Sequence, residues 1–346
     1  MRQWLLFLSL LTVVPAMAQS EAMDSLTTDS VAVTAKKEGL LKRANNKLVK
    51  RYYKSKYDSN YVVRPPQRWL LKPGFNLSGT SIHAKGTVND FWSKYHLHTK
   101  LNTTVSLEVD YCDLAISLSL NPAKLSGKYD DYEFAFEYHG NKFSIDLDYQ
   151  RATSLKGDIN FGNIDRLEEG ALKMKVFNLT AYYTFNYRKF SFPAAFYQNY
   201  RQLHSAGSWL LGMNFQSGCI RTTPELKERN PKAPDVHIDA VHVGVGGGYG
   251  YNLVAGKRSQ WLFHLSLLPT IVVYNHNRLT VNDESRHAKR MRINMIFNER
   301  AAVVYHFNDI SFAGASLMMS NSIFDDKSVI INQNKWLARA FVGVRL

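Results

Sequence analysis

The feature that most constrains the fold of this chain is an alternation of apolar and polar residues, which returns in segment after segment from Trp69 onward. In one such segment Phe134 and Phe136 alternate with Glu133 and Glu137. Successive side chains of a β-strand point to opposite faces, so a period of two predicts strands with one apolar and one polar face. The chain is therefore expected to be an all-β protein.

A soluble β-sandwich alternates in the same way, but two further features favour a membrane barrel. Aromatic residues recur near the ends of the apolar faces, as expected where amphipathic rings lie at a bilayer interface; they are Tyr132, Tyr138, Tyr149, Tyr187, Trp209, Tyr251, Trp261 and Trp336. Short connections also alternate with long polar ones, and outer-membrane barrels have short periplasmic turns and long outer loops. The expected fold is an antiparallel transmembrane β-barrel.

The number of strands follows from parity, because a barrel that starts and ends in the periplasm needs an even number. Thirteen segments alternate, near residues 73–82, 97–110, 113–121, 131–139, 142–150, 173–187, 189–198, 207–216, 238–253, 261–273, 290–307, 310–319 and 335–346. Treating 189–216 as one passage, interrupted around residues 200–204, puts all short turns on one side. We expect twelve strands, with ten or fourteen as the alternatives.

The first eighteen residues have the character of a signal peptide. Arg2 precedes an apolar stretch, and Ala16-Met17-Ala18 forms a small-x-small cleavage site. A membrane anchor is the alternative, but the stretch is short for a span and polar residues follow it directly. We expect residues 1–18 to be removed, 19–64 to form a periplasmic linker, and 65–346 to form a barrel in the outer membrane. Both the N-terminal segment and the C-terminus are then periplasmic.

A basic stretch, residues 36–56, lies within the linker and contributes to the net charge of +14. Leu40, Leu41, Ala44 and Leu48 recur in it at helical spacing, which favours a short amphipathic helix. Such a helix would lie on anionic lipid headgroups or bind an acidic periplasmic partner, and a solvated tether is the alternative. Nucleic acid is not an expected partner of an exported chain.

The chain ends on an alternating segment, Trp336–Leu346, whose one face is apolar and whose other face carries Arg339 and Arg345. The last strand of a barrel pairs with the first, so we expect this segment to close the barrel. An apolar last residue resembles the signal read by the outer-membrane assembly machinery. That machinery is an expected partner, together with outer-membrane lipid and lipopolysaccharide.

Three stretches carry a resemblance to a known family. They are NYRKFSFPAAFYQNYRQLHSAGSWLLGMNF (Asn186 to Phe215), the segment from Asp58 to Tyr61, and GYGYNLVAGKRSQWLFHLSLLPT (Gly248 to Thr270). They resemble a family of Gram-negative outer-membrane proteins catalogued as domain of unknown function 4421, over about residues 55–346. The resemblance implies an outer-membrane barrel and no particular activity.

Function is expected on the polar face of the strands. The alternation turns these charged residues into the lumen: Glu108, Glu133, Glu137, Asp146, Asp148, Arg292, Arg300, Arg339 and Arg345. An acidic and a basic wall facing each other would select solutes by charge, which predicts a narrow channel for small polar or charged solutes. The alternative is that the charges pair and plug the barrel, which then serves as a structural or adhesive scaffold.

A lipid-modifying hydrolase is a third hypothesis, since it needs a serine nucleophile and a histidine base. His204 and Ser205 are the candidate catalytic pair. Adjacent residues on a strand point to opposite faces, so this pair needs irregular backbone to meet. His242, His264 and His306 are expected to face inward, and no serine partner is evident for them. The sequence leans against an enzyme.

The two cysteines argue against a disulfide and a metal site. Cys112 is expected in a periplasmic turn and Cys219 in an outer loop, too far apart for a bridge. Neither has nearby Cys or His companions of the kind a zinc site needs, so no metal and no cofactor are expected.

Three residues fit the strand pattern badly. Glu299 falls on an apolar face, and either a bulge turns it inward or the strand extends beyond the bilayer. Pro193 and Pro269 lie inside apparent strands, where a proline costs a ladder hydrogen bond, and we expect both to mark bulges.

Overall fold

The structure is a computed structural model, and it describes residues 40–54, 56–88, 91–112, 114–120, 131–161, 164–231, 233, 235–282, 284–287, 294–326 and 329–346. The expected signal peptide and Arg292 lie outside these residues. The chain divides into two compact units, residues 1–48 and 49–346. The first contributes the start of one helix to the described residues, and the second contains all the strands.

Three helices are present in the described chain: α1 (Leu40–Tyr53), α2 (Phe192–Phe196) and α3 (Pro224–Arg229). The expected helix in the basic segment is therefore confirmed as α1. None of the described helices is long and apolar enough to span a membrane.

The strands, in chain order, are β1 (Val62–Val63), β2 (Trp69–Val88), β3 (Phe91–His98), β4 (Asn102–Tyr111), β5 (Leu114–Leu120), β6 (Tyr132–His139), β7 (Phe143–Ala152), β8 (Lys156–Phe161), β9 (Ile164–Leu167), β10 (Leu172–Thr184), β11 (Arg201–Gln202), β12 (Ala206–Thr222), β13 (Val236–Ala255), β14 (Trp261–Val281), β15 (Glu284–His287), β16 (Met295–His306), β17 (Ser311–Asp326) and β18 (Val329–Arg345).

One antiparallel sheet contains all of these strands except β1 and β11, which pair with each other. Its main path runs β5-β4-β2-β18-β17-β16-β14-β13-β12-β10-β7-β6. The last strand pairs with the first long strand, in register from Leu70 opposite Arg345 to Gly86 opposite Val329, which confirms the expected pairing of the last strand with the first. Strands β5 and β6 end the path among the described residues. The strand number of the complete barrel therefore stays a prediction.

The sheet is polar inside and apolar outside, as a membrane barrel requires. Outward side chains are large and exposed, for example Phe134 at 58% and Leu265 at 68%. Polar side chains of the inner face are buried, and Asn252 and Thr270 are both 0% exposed. A water-soluble protein buries its side chains the other way round. The all-β antiparallel barrel expected from the alternation is thus confirmed.

The two ends of the sheet differ. At one, the short-turn end, brief connections join β4 to β5, β6 to β7, β13 to β14 and β16 to β17. At the other, the extended end, several connections expected to be loops are strands. Residues 83–88 prolong β2 and 320–326 prolong β17, while β3, β8, β9 and β15 pair there as additions to the sheet. Alternation is weak in these parts because no lipid enforces it.

The expected strand over 189–198 is wrong. Residues 192–196 form helix α2, with Pro193 in its first turn and the Ser191 hydroxyl accepting the Ala194 N–H as N-cap. Proline is favoured at this position because its missing N–H has no intrahelical partner there. Pro193 therefore marks a helix start and not a bulge.

The other two misfits resolve differently. Glu299 lies on the outer face of β16 without a register shift, and Asn321 of β17 donates a hydrogen bond to its carboxylate at 3.3 Å. Pro269 does not mark a bulge. The register shift between β13 and β14 lies at Val243/Gly244, opposite Tyr274 and Val272. Beside Pro269 the backbones of β13 and β14 approach so closely that a Cβ on Gly246 would lie 2.0 Å from the Pro269 carbonyl oxygen. Glycine is required at that crossing.

Candidate functional site

Residues 185–205, which connect β10 to β12 at the short-turn end, form the most distinctive feature of the interior. We call them the plug segment. Its middle is helix α2, and the side chains of that helix are all buried. Neighbouring barrel strands are joined by a few residues elsewhere at this end, so the extra length is not needed for connection.

Aromatic side chains of the plug segment fill the short-turn end of the interior. Phe190, Phe192 and Phe196 pack edge-to-face and stacked at centroid distances of 4.9–6.2 Å. Inward apolar residues from seven strands pack around them: Leu70, Tyr182, Leu210, Leu262, Leu268, Ala302, Val304, Phe312 and Phe341. The apolar core of this protein is therefore made between the plug segment and the inner barrel wall.

Polar side chains of the wall bind the backbone of the plug segment. Lys72 of β2 donates to the Phe196 carbonyl at 3.1 Å and to the Gln198 side chain at 3.2 Å. Arg345 of β18 donates two hydrogen bonds to the Gln198 carbonyl, at 2.8 and 3.0 Å. Asn252 of β13 donates to the Ser191 carbonyl at 2.9 Å. Buried backbone carbonyls need such partners, so these contacts stabilise the plug in one position.

The chain just before the barrel adds a second layer at the short-turn end. Val62 and Val63 pair with Gln202 and Arg201, which makes a two-stranded sheet of β1 and β11. The guanidinium of Arg64 lies 4.0 Å from the ring centroids of both Tyr52 and Tyr200. Cations held between two aromatic faces in this way are stabilised by the ring quadrupoles.

Ion pairs cross the middle of the interior. Arg339 of β18 binds Glu137 of β6 through two hydrogen bonds, at 2.6 and 3.1 Å. Lys335 contacts both Glu133 at 2.7 Å and Asp148 at 2.5 Å. Two further pairs are Arg300 with Asp146 and Lys72 with Glu108, the latter at 2.9 Å. Each cation is thus neutralised by a carboxylate across the interior or on the neighbouring strand.

A second apolar cluster lies toward the extended end. It is formed by Ile82, Leu97, Ala152, Leu155, Leu167, Ala171, Leu172, Met174 and Val176, all of them buried. Between this cluster and the ion pairs, Thr80 donates to Gln150 at 3.0 Å and Asn214 donates to Thr180 at 2.8 Å. Apolar clusters therefore lie at both ends of the described interior, with a polar layer between them.

The residues expected to form two charged walls are brought together as pairs. Glu108, Glu133, Glu137, Asp146 and Asp148 each contact a cation. Arg345 differs, since it binds carbonyls of the plug segment and of Asp309. Two cations in the network, Lys72 and Lys335, were not expected. Lys72 precedes the first alternating segment and Lys335 begins the last. Both are charged residues at positions that the alternation turns inward, and this was the available signal.

The two residues of the candidate catalytic pair, His204 and Ser205, have different hydrogen-bond partners. The Nδ1 atom of His204 lies 2.6 Å from the Asn60 carbonyl oxygen, and its ring packs on Tyr61. The Ser205 hydroxyl accepts the Val254 N–H at 2.9 Å. Both side chains thus fix the plug segment to its surroundings.

A different histidine has a serine and an asparagine beside it. The Nε2 atom of His264 lies 3.0 Å from the Ser266 hydroxyl, and its Nδ1 lies 2.7 Å from the Asn252 side-chain oxygen. The order serine–histidine–amide is that of a nucleophilic triad. Sequence reasoning missed Ser266, although residues two apart on a strand share a face.

This arrangement is fully packed. His264 contacts Phe190, Phe192 and Phe196 at centroid distances of 5.1–5.8 Å. A Cβ on Gly250 would come within 2.9 Å of the Phe190 ring and 3.2 Å of Ser266. No room remains there for an acyl group, so the three side chains act as a buried hydrogen-bond network beneath the plug segment.

We expect the folded protein to resist labelling by a fluorophosphonate, which reacts with serines activated by histidine. The packing over Ser266 excludes the reagent, and mass spectrometry of the treated protein checks this. Labelling of the wild type that is lost in Ser266→Ala but retained in Ser205→Ala would instead identify a hydrolase.

Among the described residues, neither the cysteines nor the potential metal ligands form a further site. Cys112 and Cys219 are both free, as expected. Cys219 lies within β12 and not in a loop, because that strand continues to Thr222. In the part of the chain that the structure describes, no group of three His, Cys, Asp or Glu side chains is placed to hold a metal ion.

An apolar outer face, a buried polar inner face and a first strand paired with the last define the class: this is an outer-membrane β-barrel. Residues 56–346 match the model of a family described as a domain of unknown function, DUF4421, and the chain belongs to that family. The resemblance read from the sequence is thereby confirmed.

Solved structures with a similar arrangement include three outer-membrane proteins. The outer membrane protease OmpT from Escherichia coli has 6% identity and a TM-score of 0.39, with 82% of this chain and 98% of that chain covered. The outer membrane protein OprG from Pseudomonas aeruginosa has 9% identity and a TM-score of 0.28, with 84% of this chain and 99% of that chain covered. The translocator domain of the autotransporter NalP from Neisseria meningitidis has 6% identity and a TM-score of 0.28, with 88% of this chain and 95% of that chain covered. These values support no inference about activity. Comparison with curated proteins finds none that matches.

Proposed function

We propose that this protein is a closed outer-membrane barrel that serves as a structural or adhesive scaffold, with the extended end as its binding surface. The observation that carries the proposal is the packing and charge pairing of the described interior. Apolar clusters occupy both ends, and carboxylates and cations between them neutralise each other. Small barrels are commonly filled by their own side chains, whereas a conducting pore needs a continuous polar path.

The orientation belongs to the same proposal. Short turns face the periplasm in outer-membrane barrels, so the plug segment, α1 and the C-terminus are assigned to the periplasmic side. The extended end then faces outward. The periplasmic partner proposed for residues 36–56 is an acidic protein surface, and the assembly machinery would bind the last strand, β18. Outer-membrane lipid contacts the apolar outer face.

Planar bilayers test the closed lumen. We expect the purified protein to insert without giving single-channel steps, because the ion pairs hold the charges that would otherwise line a path. Insertion is checked independently by protease protection. Resolved steps from the wild-type protein would overturn the closed barrel and favour a channel.

A second variant distinguishes a scaffold from a gated channel. Ala194→Asp is expected to displace the plug segment, because it buries a carboxylate among aromatic side chains, and to leave the ion pairs and the second apolar cluster in place. We expect this variant to remain silent in the same bilayers. Steps seen only with the variant would mean that the plug segment is the gate of a channel.

A further inference from the structure

The outer face of the sheet carries a group of basic side chains near the extended end. They lie on five neighbouring strands, β7, β10, β12, β13 and β14, and we call them the basic patch: Arg151, Lys173, Lys175, Arg221, His237 and Arg278. Their outward direction follows from parity. Met174, Val176 and Gln216 on these strands are buried inward, so the odd-numbered residues of β7, β10, β12 and β13 point outward. The register shift at Val243/Gly244 reverses the parity of β14 beyond it, and Arg278 lies directly opposite the outward residue Asp239.

Like charges face each other across the strands of the patch. Lys175 of β10 is directly opposite Arg151 of β7, and Lys173 is directly opposite Arg221 of β12. Like charges in this position destabilise a sheet. Among the described residues no carboxylate forms an ion pair with Lys173, Lys175 or Arg151. Asp239 lies within the patch, where it contacts His237 at 3.0 Å and is directly opposite Arg278.

The patch lies next to the apolar part of the outer face. Below Arg151, Tyr149 and Tyr132 pack with ring centroids 5.6 Å apart, and the Arg151 guanidinium lies 5.8 Å from the Tyr132 ring. Below Lys175, Phe177 packs against Phe215 at 6.0 Å. Aromatic rings of this kind lie at the boundary of the hydrocarbon layer. The basic side chains therefore lie at the depth of the lipid headgroups.

We propose that the basic patch binds the phosphate groups of a phosphorylated lipid in the leaflet at the extended end. Charge complementarity supports this occupant, since each Lys or Arg beside an anionic membrane surface strengthens attraction to phosphate. A bound phosphate would also neutralise the opposed cations on β7, β10 and β12. The choice of leaflet rests on the proposed orientation, which makes the lipid a phosphorylated glycolipid of the outer leaflet. The patch itself does not depend on whether the lumen is closed.

Titration with a defined lipid tests the proposal. Diphosphoryl lipid A is added to the full-length protein in a zwitterionic detergent, and retained lipid is counted by native mass spectrometry. We expect Lys175→Gln with Arg221→Gln to weaken retention by roughly ten- to thirty-fold, because two headgroup-level cations are removed. Binding to the wild type should also weaken on raising salt from about 0.1 to about 0.5 M.

The matched control removes two exposed cations at the other end, Lys257→Gln with Arg258→Gln, and should retain lipid within about twofold of the wild type. Heat-modifiable gel mobility shows that each variant is folded. Equal retention by the two double variants would overturn the proposal. So would equal binding of fully dephosphorylated lipid, or displacement of the lipid by inorganic phosphate at low millimolar concentration, which would indicate a site for the free anion. None of these results depends on the bilayer conductance that tests the closed barrel.

Discussion

Replacing Arg339 with methionine is expected to destabilise the barrel by about 3–5 kcal/mol, because it leaves the carboxylate of Glu137 buried without its cation. Glu137 receives both guanidinium hydrogen bonds, and its side chain is 12% exposed. A buried charge that loses its partner keeps its desolvation penalty. Urea unfolding in lipid vesicles, followed by tryptophan fluorescence, measures the change in the free energy of unfolding.

The double variant Arg339→Met with Glu137→Leu provides the critical comparison. Replacing a buried pair by apolar residues of similar size is often neutral, so most of the lost stability should return. Arg258→Met, in an exposed turn, serves as the control and should change the unfolding free energy by less than about 0.5 kcal/mol. If Arg339→Met changes the free energy of unfolding as little as this control does, the ion pair of Arg339 and Glu137 does not stabilise the barrel.

Replacing Ala194 with aspartate is expected to displace the plug segment while the strands stay paired. Ala194 is fully buried in helix α2 among aromatic side chains. An unpaired carboxylate there costs at least about 3 kcal/mol, which raises the population of the displaced segment by more than about a hundredfold. Chymotrypsin should then cut after Phe190 and Phe196, and heat-modifiable gel mobility should show an intact barrel.

The control for this variant is Ala255→Asp, at the exposed end of β13. It adds the same charge at the short-turn end and should leave cleavage unchanged, because the new carboxylate stays in water. Cleavage of the Ala194→Asp protein at the wild-type rate would show that the apolar cluster does not seat the plug segment.

The sequence allowed the wall of the barrel to be predicted because lipid and interior impose opposite demands on alternate residues. Phe134 and Glu133 can exchange faces only by moving a whole strand, so their alternation identifies the strand reliably. The pairing of the last strand with the first follows from closure. The ends of strands were predicted less well. Beyond the bilayer, as in residues 320–326, neither face has to be apolar and the pattern fades.

The interior was harder to predict, since it depends on contacts between distant residues. The run Phe190 to Phe196 looks like strand because it is apolar and contains spaced aromatics, yet it is buried on every side inside the barrel. The serine before Phe192-Pro193 was an available signal for a helix start. The signs of the charged walls could be read from parity, but which carboxylate meets which cation is decided by strand tilt and stagger.

The contacts of Gln198 have a consequence for the order of assembly. Its side chain accepts from Lys72, 126 residues earlier, and its carbonyl accepts from Arg345, 147 residues later. In the folded protein this carbonyl is buried and needs Arg345 as its partner. During assembly it therefore remains hydrated until the final residues of the chain are in place. The plug segment can therefore dock completely only after the last strand, β18, has been added. We expect a barrel truncated before β18 to carry an unseated aromatic segment, by which proteases recognise the incomplete product.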